Sequence, residues 1–77
     1  MSSRILIVDD EEVVCRSCTR ILTEAGHEVE SLLDGHDALQ KVAEGHYDVV
    51  ILDIMMPRIS GLEILQAIKE EHPDVDV

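Results

Sequence analysis

Three aspartates lie where two short apolar segments of the chain end. Asp9 and Asp10 follow the segment Arg4–Val8, and Asp53 follows the segment Val49–Leu52. A run that is apolar at nearly every position is typical of a parallel strand buried on both faces. Because ligands of open α/β sheets bind outside the carboxyl ends of the strands, we expect the three carboxylates to meet at that edge.

Three carboxylates in one place need a counter-charge. Two unit charges about 4 Å apart repel by roughly 4 kcal/mol at an effective dielectric constant of about 20. Carboxylate oxygens, backbone carbonyls and water are the ligands that Mg2+ prefers, and bound Mg2+ also accepts phosphate oxygens. The pattern therefore predicts magnesium and phosphate chemistry at Asp9, Asp10 and Asp53.

The residues around these acids resemble the receiver domain of two-component response regulators. The resemblance rests on Val8, Asp9, Asp10 and Glu11, and on Asp53, Met56, Pro57 and Gly61. It implies a flavodoxin-like parallel sheet with strand order 2-1-3-4-5 and helices on both faces. It also implies that residues 1–77 are the amino-terminal part of one receiver domain, truncated after the third βα unit.

The resemblance assigns a role to each acid. Asp53 would be the phosphoacceptor nucleophile, and its partner would be a sensor histidine kinase or a phosphotransfer protein. Asp10 would bind Mg2+ directly, Asp9 would act through water, and the backbone carbonyl of Met55 would complete the protein ligands. The chain would then be a phosphoacceptor for an unknown effector domain or target, and not an enzyme in the ordinary sense.

Other interpretations of the acids remain open. Asp53 can be a solvated acid at a strand end, and Asp9 and Asp10 can be helix N-caps. An aspartyl phosphatase of the haloacid-dehalogenase type also uses an Asp nucleophile with Mg2+. Such enzymes typically carry a second Asp two positions after the first, where this chain has Met55. A protein-interaction module with the receiver fold but without phosphorylation is the remaining alternative.

The composition argues against several classes of function. The chain has 17 acidic and 6 basic residues, for a formal charge of −11. This charge disfavours direct contact with nucleic acid, because phosphate neutralisation needs Lys and Arg. The sequence shows neither an apolar run of membrane-spanning length nor the layout of a signal peptide. We therefore expect no membrane association and a cytoplasmic location.

The two cysteines, Cys15 and Cys18, form a C-x-x-C motif that can indicate redox or zinc chemistry. Helical spacing favours a different role, because Cys18 falls on the apolar face of the predicted first helix. The residues expected on that face are Val14, Cys18, Ile21, Leu22 and Ala25. We interpret both cysteines as structural thiols. The histidines have no ligand-like spacing and are expected at the surface; they are His27, His36, His46 and His72.

Apolar periodicity predicts strands that alternate with helices. The predicted strands are Arg4–Val8, Glu28–Leu32 and Val49–Leu52, and the predicted helices are 12–25, 36–44 and 61–72. The polar second strand is expected at a sheet edge, and residues 75–77 can begin a fourth strand. The apolar residues expected to be buried by the second and third helices are Ala38, Leu39, Val42, Leu62, Leu65 and Ile68.

The expected strand order has a consequence for assembly. In a chain of 77 residues, the apolar third strand would lie at an open edge of the sheet. An unpaired apolar edge is a template for association, and exchange of identical elements is a low-cost route to dimers. We therefore expect either a homo-oligomer or swapped dimer formed near Val49–Leu52, or a longer parent chain.

Overall fold

The computed structural model describes residues 3–53 and 60–77, in which strands alternate with helices. The strands are β1 (Arg4–Val8), β2 (Glu28–Leu32) and β3 (Val49–Leu52). The helices are α1 (Glu12–Glu24), α2 (Ala38–Gly45) and α3 (Gly61–Glu71), and a 3-10 turn at Gly35–Asp37 precedes α2. The three predicted strands are confirmed, and the helix ends differ from the predictions by one or two residues.

The sheet is parallel, with β1 in the centre and strand order β2-β1-β3. At the carboxyl end of β1, Val8 is paired with Leu32 of β2 and with Leu52 of β3. Because all three strands run in one direction, their carboxyl ends share one edge. The residues that follow at this edge include Asp9 after β1 and Asp53 after β3.

Helices cover both faces of β1. Successive side chains of a strand point to opposite faces, and here Ile5 and Ile7 pack with Cys15 of α1. Leu6 and Val8 pack on the other face with residues of α2 and α3. The apolar residues 5–8 of β1 are therefore buried on both faces of the sheet, as the sequence predicted. The larger cluster also contains Ala38, Val42, Tyr47, Val50, Ile64, Ile68 and Val75.

Side-chain and backbone hydrogen bonds define the helix ends. Ser60 caps α3, because its hydroxyl oxygen accepts a hydrogen bond from the backbone N–H of Glu63 at 3.4 Å. Gly26, two residues after α1 ends at Glu24, has φ 97°, a left-handed conformation that glycine adopts without a steric penalty.

None of the helices within residues 3–53 and 60–77 has the length and apolar character that crossing a bilayer requires.

The buried faces of α1 and α3 differ from their predictions. In α3, Leu62 is 55% exposed and Ile64 is 7% exposed, so the prediction for Leu62 was wrong. In α1, Ile21 is 65% exposed, whereas Cys15 is 3% exposed. Consecutive helix residues are turned by about 100°. The buried residues of α3 are Gly61, Ile64 and Ile68. The burial of Ile68 was predicted, whereas Gly61 and Ile64 lie one position before the predicted Leu62 and Leu65.

A single β-bridge lies beside β3. The backbone N–H of Val50 donates to the carbonyl of Asp76 at 2.7 Å, and the N–H of Asp76 donates to the carbonyl of Asp48 at 3.1 Å. These bonds form a parallel bridge between Val49 and Asp76. The prediction that residues 75–77 begin a strand is confirmed as a single bridge.

The only tyrosine of the sequence joins three charged side chains. Tyr47 is 5% exposed, and its hydroxyl donates a hydrogen bond to the carboxylate of Glu30. The Arg4 guanidinium lies 5.3 Å from the ring centroid, and Lys41 Nζ lies 3.1 Å from Glu30 Oε2. The hydrogen bond from Tyr47 lowers the pKa of Glu30, and Lys41 adds to this effect. Burial, followed by the bond to Glu30, raises the pKa of Tyr47 to about 12.

We expect Tyr47→Phe to lower the free energy of unfolding by about 1 kcal/mol at neutral pH, because it removes this hydrogen bond and keeps the ring. The pKa of Tyr47 rises from 10.0 to about 12 on folding. The hydroxyl therefore contributes fully below pH 10 and loses its contribution as the pH rises to about 12. Urea unfolding across this pH range measures the effect. Titration of lysines lowers the stability of both proteins in this pH range. An equal decrease in the free energy of unfolding of wild type and variant would therefore contradict the role given to the Tyr47 hydroxyl.

Candidate functional site

Three carboxylates converge at the carboxyl edge of the sheet. Asp9, Asp10 and Asp53 each place one oxygen within 4.8 Å of the others. Asp9 and Asp53 are half-buried, and Asp10 is exposed. The meeting of these side chains agrees with their predicted positions after neighbouring parallel strands. Met55, the predicted carbonyl ligand, lies outside the described residues.

Backbone hydrogen bonds hold the two strand ends that carry the acids. The N–H of Asp9 donates to the carbonyl of Leu32 at 3.1 Å, and the N–H of Asp53 donates to the carbonyl of Val8 at 2.9 Å. Both bonds extend the sheet pairing one residue beyond the strands. The peptide groups of Asp9 and Asp53 are therefore fixed relative to each other through β1.

The carboxylate of Asp9 is also fixed by a local turn. Its Oδ1 accepts a hydrogen bond from the N–H of Glu11 at 2.9 Å, a pattern typical of an Asx-turn. The N-cap of α1 is Glu11, which makes no side-chain capping bond. Asp9 and Asp10 therefore do not occupy the N-cap position, and the alternative that they serve as N-caps was wrong.

Cys15 lies directly behind this turn. Its Sγ lies 3.4 Å from the backbone oxygen of Asp9 and 4.0 Å from that of Leu32. Burial, followed by the nearby charge of Asp9, raises the pKa of the Cys15 thiol, so the sulfur keeps its proton. Cys18 is half-buried in the same apolar cluster, and both cysteines are free thiols. The sequence interpretation assigned Cys18 to the buried face and overlooked the contact of Cys15 with the acidic loop.

The histidines lie apart from the acids. Within residues 3–53 and 60–77, the convergent group of potential metal ligands consists of the three aspartates, without a histidine. His36 and His46 are exposed, as predicted, whereas His27 and His72 are half-buried. His27 Nδ1 accepts a hydrogen bond from the backbone N–H of Ser3 at 3.0 Å, which explains its partial burial.

The arrangement of the acids fits a hard divalent cation. All three side chains supply carboxylate oxygens, and their partial exposure allows water to complete an octahedral shell around Mg2+. Several basic side chains of the described residues form ion pairs with glutamates. These pairs are Arg4 with Glu28 and Glu30, Arg16 with Glu12, Arg20 with Glu24, and Lys41 with Glu30.

The fold and site together define the class of protein. A parallel sheet with helices on both faces gathers acids at the carboxyl ends of its strands, which is where doubly wound proteins bind ligands. The family model for the response regulator receiver domain matches residues 5–77. The chain therefore belongs to the response regulator receiver domain family, and the flavodoxin-like fold predicted from its sequence is confirmed.

Several known proteins are similar to this chain over almost all of its length. Response regulator MprA of Mycolicibacterium vanbaalenii is 40% identical over 77 residues, which are 100% of this chain and 33% of that protein. The crystal structure of response regulator TrrA of Thermotoga maritima in complex with Mg2+-BeF has a TM-score of 0.89 and 44% identity. The match covers 97% of this chain and 64% of the TrrA chain.

This chain is also similar to TrrA in the crystal structure of histidine kinase ThkA in complex with TrrA. The TM-score there is 0.87 at 44% identity, with coverage of 97% of this chain and 64% of the matched chain. The present chain spans about a third of the length of the curated relatives it matches. These similarities favour the receiver interpretation over a phosphatase of the haloacid-dehalogenase type.

We expect Asp10→Asn to raise the free energy of unfolding of the metal-free protein by roughly 1 kcal/mol, because it removes one of three neighbouring like charges. Urea unfolding in the presence of a chelator measures this gain. Asp74→Asn removes an exposed acid outside the cluster and serves as the control, with an expected change within about 0.5 kcal/mol. Equal changes in the two variants would show that repulsion within the cluster is negligible.

Proposed function

We propose that this chain is a phosphoacceptor of two-component signalling, in which Asp53 receives a phosphoryl group from a histidine kinase or phosphotransfer protein. The observation that carries the proposal is the convergence of Asp9, Asp10 and Asp53 within 4.8 Å at one sheet edge. Membership in the receiver family supports it. The known complexes of TrrA with Mg2+-BeF and with a histidine kinase also support it.

Asp53 is the proposed nucleophile because of the family resemblance, since Asp9 is held at a strand end in the same way. Asp53 follows β3 directly, and its backbone N–H is bound to Val8, so the sheet holds it in one position. Fixed placement of a nucleophile provides much of the rate enhancement in phosphoryl transfer. A carboxylate oxygen of Asp53 forms the new O–P bond while the N–P bond of phosphohistidine breaks. The departing imidazole takes up a proton.

Asp9 and Asp10 would share the binding of Mg2+ with Asp53. Asp10 is exposed and can bind the ion directly, whereas one oxygen of Asp9 already accepts a hydrogen bond from Glu11, which favours contact through water. Bound Mg2+ would neutralise charge on the acids and on the transferred phosphoryl group. The carbonyl of Met55 remains the fourth proposed ligand, on the resemblance alone. We propose the cytoplasm as the site of action, where free thiols stay reduced.

A small-molecule phosphodonor with Mg2+ is expected to label the full-length protein at Asp53, because an oriented carboxylate beside the ion can attack phosphorus. Asp53→Asn keeps the shape of the side chain and is expected to abolish the label. A chelator is expected to do the same in wild type. Peptide mapping by mass spectrometry locates the phosphoryl group, and Asp74→Asn controls for loss of an unrelated acid.

Two results of this experiment would contradict the proposal. Label retained in Asp53→Asn would place the acceptor at another residue. A folded wild-type protein that binds Mg2+ and takes up no label from the small donor or from a histidine kinase would support the alternative of an interaction module with the receiver fold.

We also propose that the chain of 77 residues, when studied by itself, associates through the outer side of β3. A cavity of about 410 Å3 lies there, lined by Val49, Val50, Ile51, Leu52, Leu65 and Val77. Ile51 is 42% exposed, although it belongs to a strand of the sheet. Asp76 already bridges the first part of this edge, and the part of β3 beyond the bridge, at Ile51 and Leu52, can pair with the same edge of a second copy.

Analytical ultracentrifugation over a concentration series is expected to show dimers or larger species of this 77-residue chain. Ile51→Lys is expected to shift the equilibrium toward monomer, because a charged side chain at a strand edge discourages pairing. Val13→Lys changes a more exposed apolar residue on α1 and is the matched control. A folded monomer at every concentration, or equal effects of the two variants, would contradict association through β3.

A further inference from the structure

We propose that Cys15 is a positioning residue for the acid cluster, and that its thiol fixes the backbone segment from which Asp9 and Asp10 extend. The inference rests on the proposed metal site and adds a residue to it. The sulfur lies 3.4 Å from the backbone oxygen of Asp9. At this distance the thiol can donate a weak hydrogen bond to that oxygen.

The contact completes a ring of hydrogen bonds in the loop between β1 and α1. Asp9 Oδ1 accepts from the N–H of Glu11 at 2.9 Å. The carbonyl of Glu11 in turn accepts from the N–H of Cys15 at 3.1 Å. The thiol of Cys15 donates to the carbonyl of Asp9, which closes the ring. The side chain and the peptide group of Asp9 are therefore both tied to the first turn of α1.

The same thiol lies at the junction of two strands. The carbonyl of Leu32 accepts the N–H of Asp9 at 3.1 Å and lies 4.0 Å from Sγ of Cys15. Cys15 thus contacts both partners of the last hydrogen bond between β1 and β2. A shift of its side chain would change the direction of the Asp9 peptide, and Asp10 follows that peptide in the chain.

Cysteine suits this position because it combines small apolar volume with a donor. Cys15 is the one α1 residue that is buried, and it packs against Ile5 and Ile7 of β1. Free cysteine behaves as a small hydrophobe with a weak S–H donor. Alanine would fill less of this space and could not donate, whereas serine would keep a donor of similar size.

Cys18 provides a matched control on the same helix. It packs on the same cluster of β1 and α1 but is only partly buried. Its substitution perturbs the apolar contact between helix and sheet one turn away from the acidic loop. A purely structural role for Cys15 predicts that Cys15→Ala and Cys18→Ala have similar effects on metal binding.

The test measures Mg2+ affinity of the full-length protein by following backbone amide shifts in NMR titrations. We expect Cys15→Ala to weaken Mg2+ binding by about three- to tenfold, below the 10- to 100-fold usual for partners of metal ligands, because a thiol is a weak donor. The Mg2+ affinities of Cys15→Ser and Cys18→Ala are expected to stay within about twofold of wild type, a small change compared with the loss of a partner of a metal ligand. Urea unfolding of each variant separates affinity from stability.

The S–H stretching band supplies a readout that packing alone does not move. We expect Mg2+ to shift one thiol band of the wild-type protein in infrared spectra, because the ion changes the environment of the Asp9 carbonyl. Cys15→Ser is expected to remove the shifting band, and Cys18→Ser is expected to leave it in place. This measurement and the affinity of Cys15→Ser remain informative if Cys15→Ala does not fold.

The outcomes separate this inference from the proposed function. Wild-type protein without Mg2+ affinity would overturn the metal site itself. Wild-type protein that binds Mg2+, together with equal affinities in Cys15→Ala and Cys18→Ala, would overturn the role of Cys15 alone. The absence of any Mg2+-dependent thiol band in wild type, or a Cys15→Ser variant as weak as Cys15→Ala, would also overturn it.

Discussion

Hydrogen bonding of β1 on both of its sides is the constraint on which the site depends. Val8 is paired with Leu32 on one side and with Leu52 on the other. This register makes Asp9 and Asp53 neighbours at the end of the sheet, although they are distant in sequence. Because the side-chain period of a strand is two, a shift of one residue would turn every buried side chain of β1 to the wrong face. The apolar core therefore enforces the geometry of the acids.

The acid cluster is a local conflict that the rest of the fold tolerates. Like charges near one another oppose folding, whereas burial of β1 on two faces favours it, at about 25 cal/mol for each Å2 of apolar surface removed from water. The charged side chains around Glu30, in the middle of β2, are arranged differently. Glu30 accepts a hydrogen bond from Tyr47 and forms ion pairs with Arg4 and Lys41. Opposite charges are thus paired around Glu30, whereas three carboxylates share the carboxyl edge, where a cation could bind.

The sequence was sufficient to predict the strands and the meeting of the acids, and it was less informative about the helices. Apolar runs define strands such as Arg4–Val8, and acids that follow parallel strands must share one edge. When a helix has apolar residues on more than one side, its sequence pattern is compatible with two orientations against the sheet that differ by one residue. The neighbouring elements decided that Ile64 is buried and Leu62 is exposed. The contact of Cys15 with Asp9 likewise depends on how α1 docks against β1, which spacing alone does not encode.

The position of β1 also sets the timescale on which the site can lose its shape. Amide protons of buried, doubly paired strands exchange with solvent only through the largest openings of a protein. The pairing of β1 continues into the N–H groups of Asp9 and Asp53, which donate to Leu32 and Val8. These bonds join residues of neighbouring strands and are not part of any helix. The acids are thereby attached to the most persistent part of the chain, so that ligands encounter the same arrangement for nearly the whole lifetime of the native state.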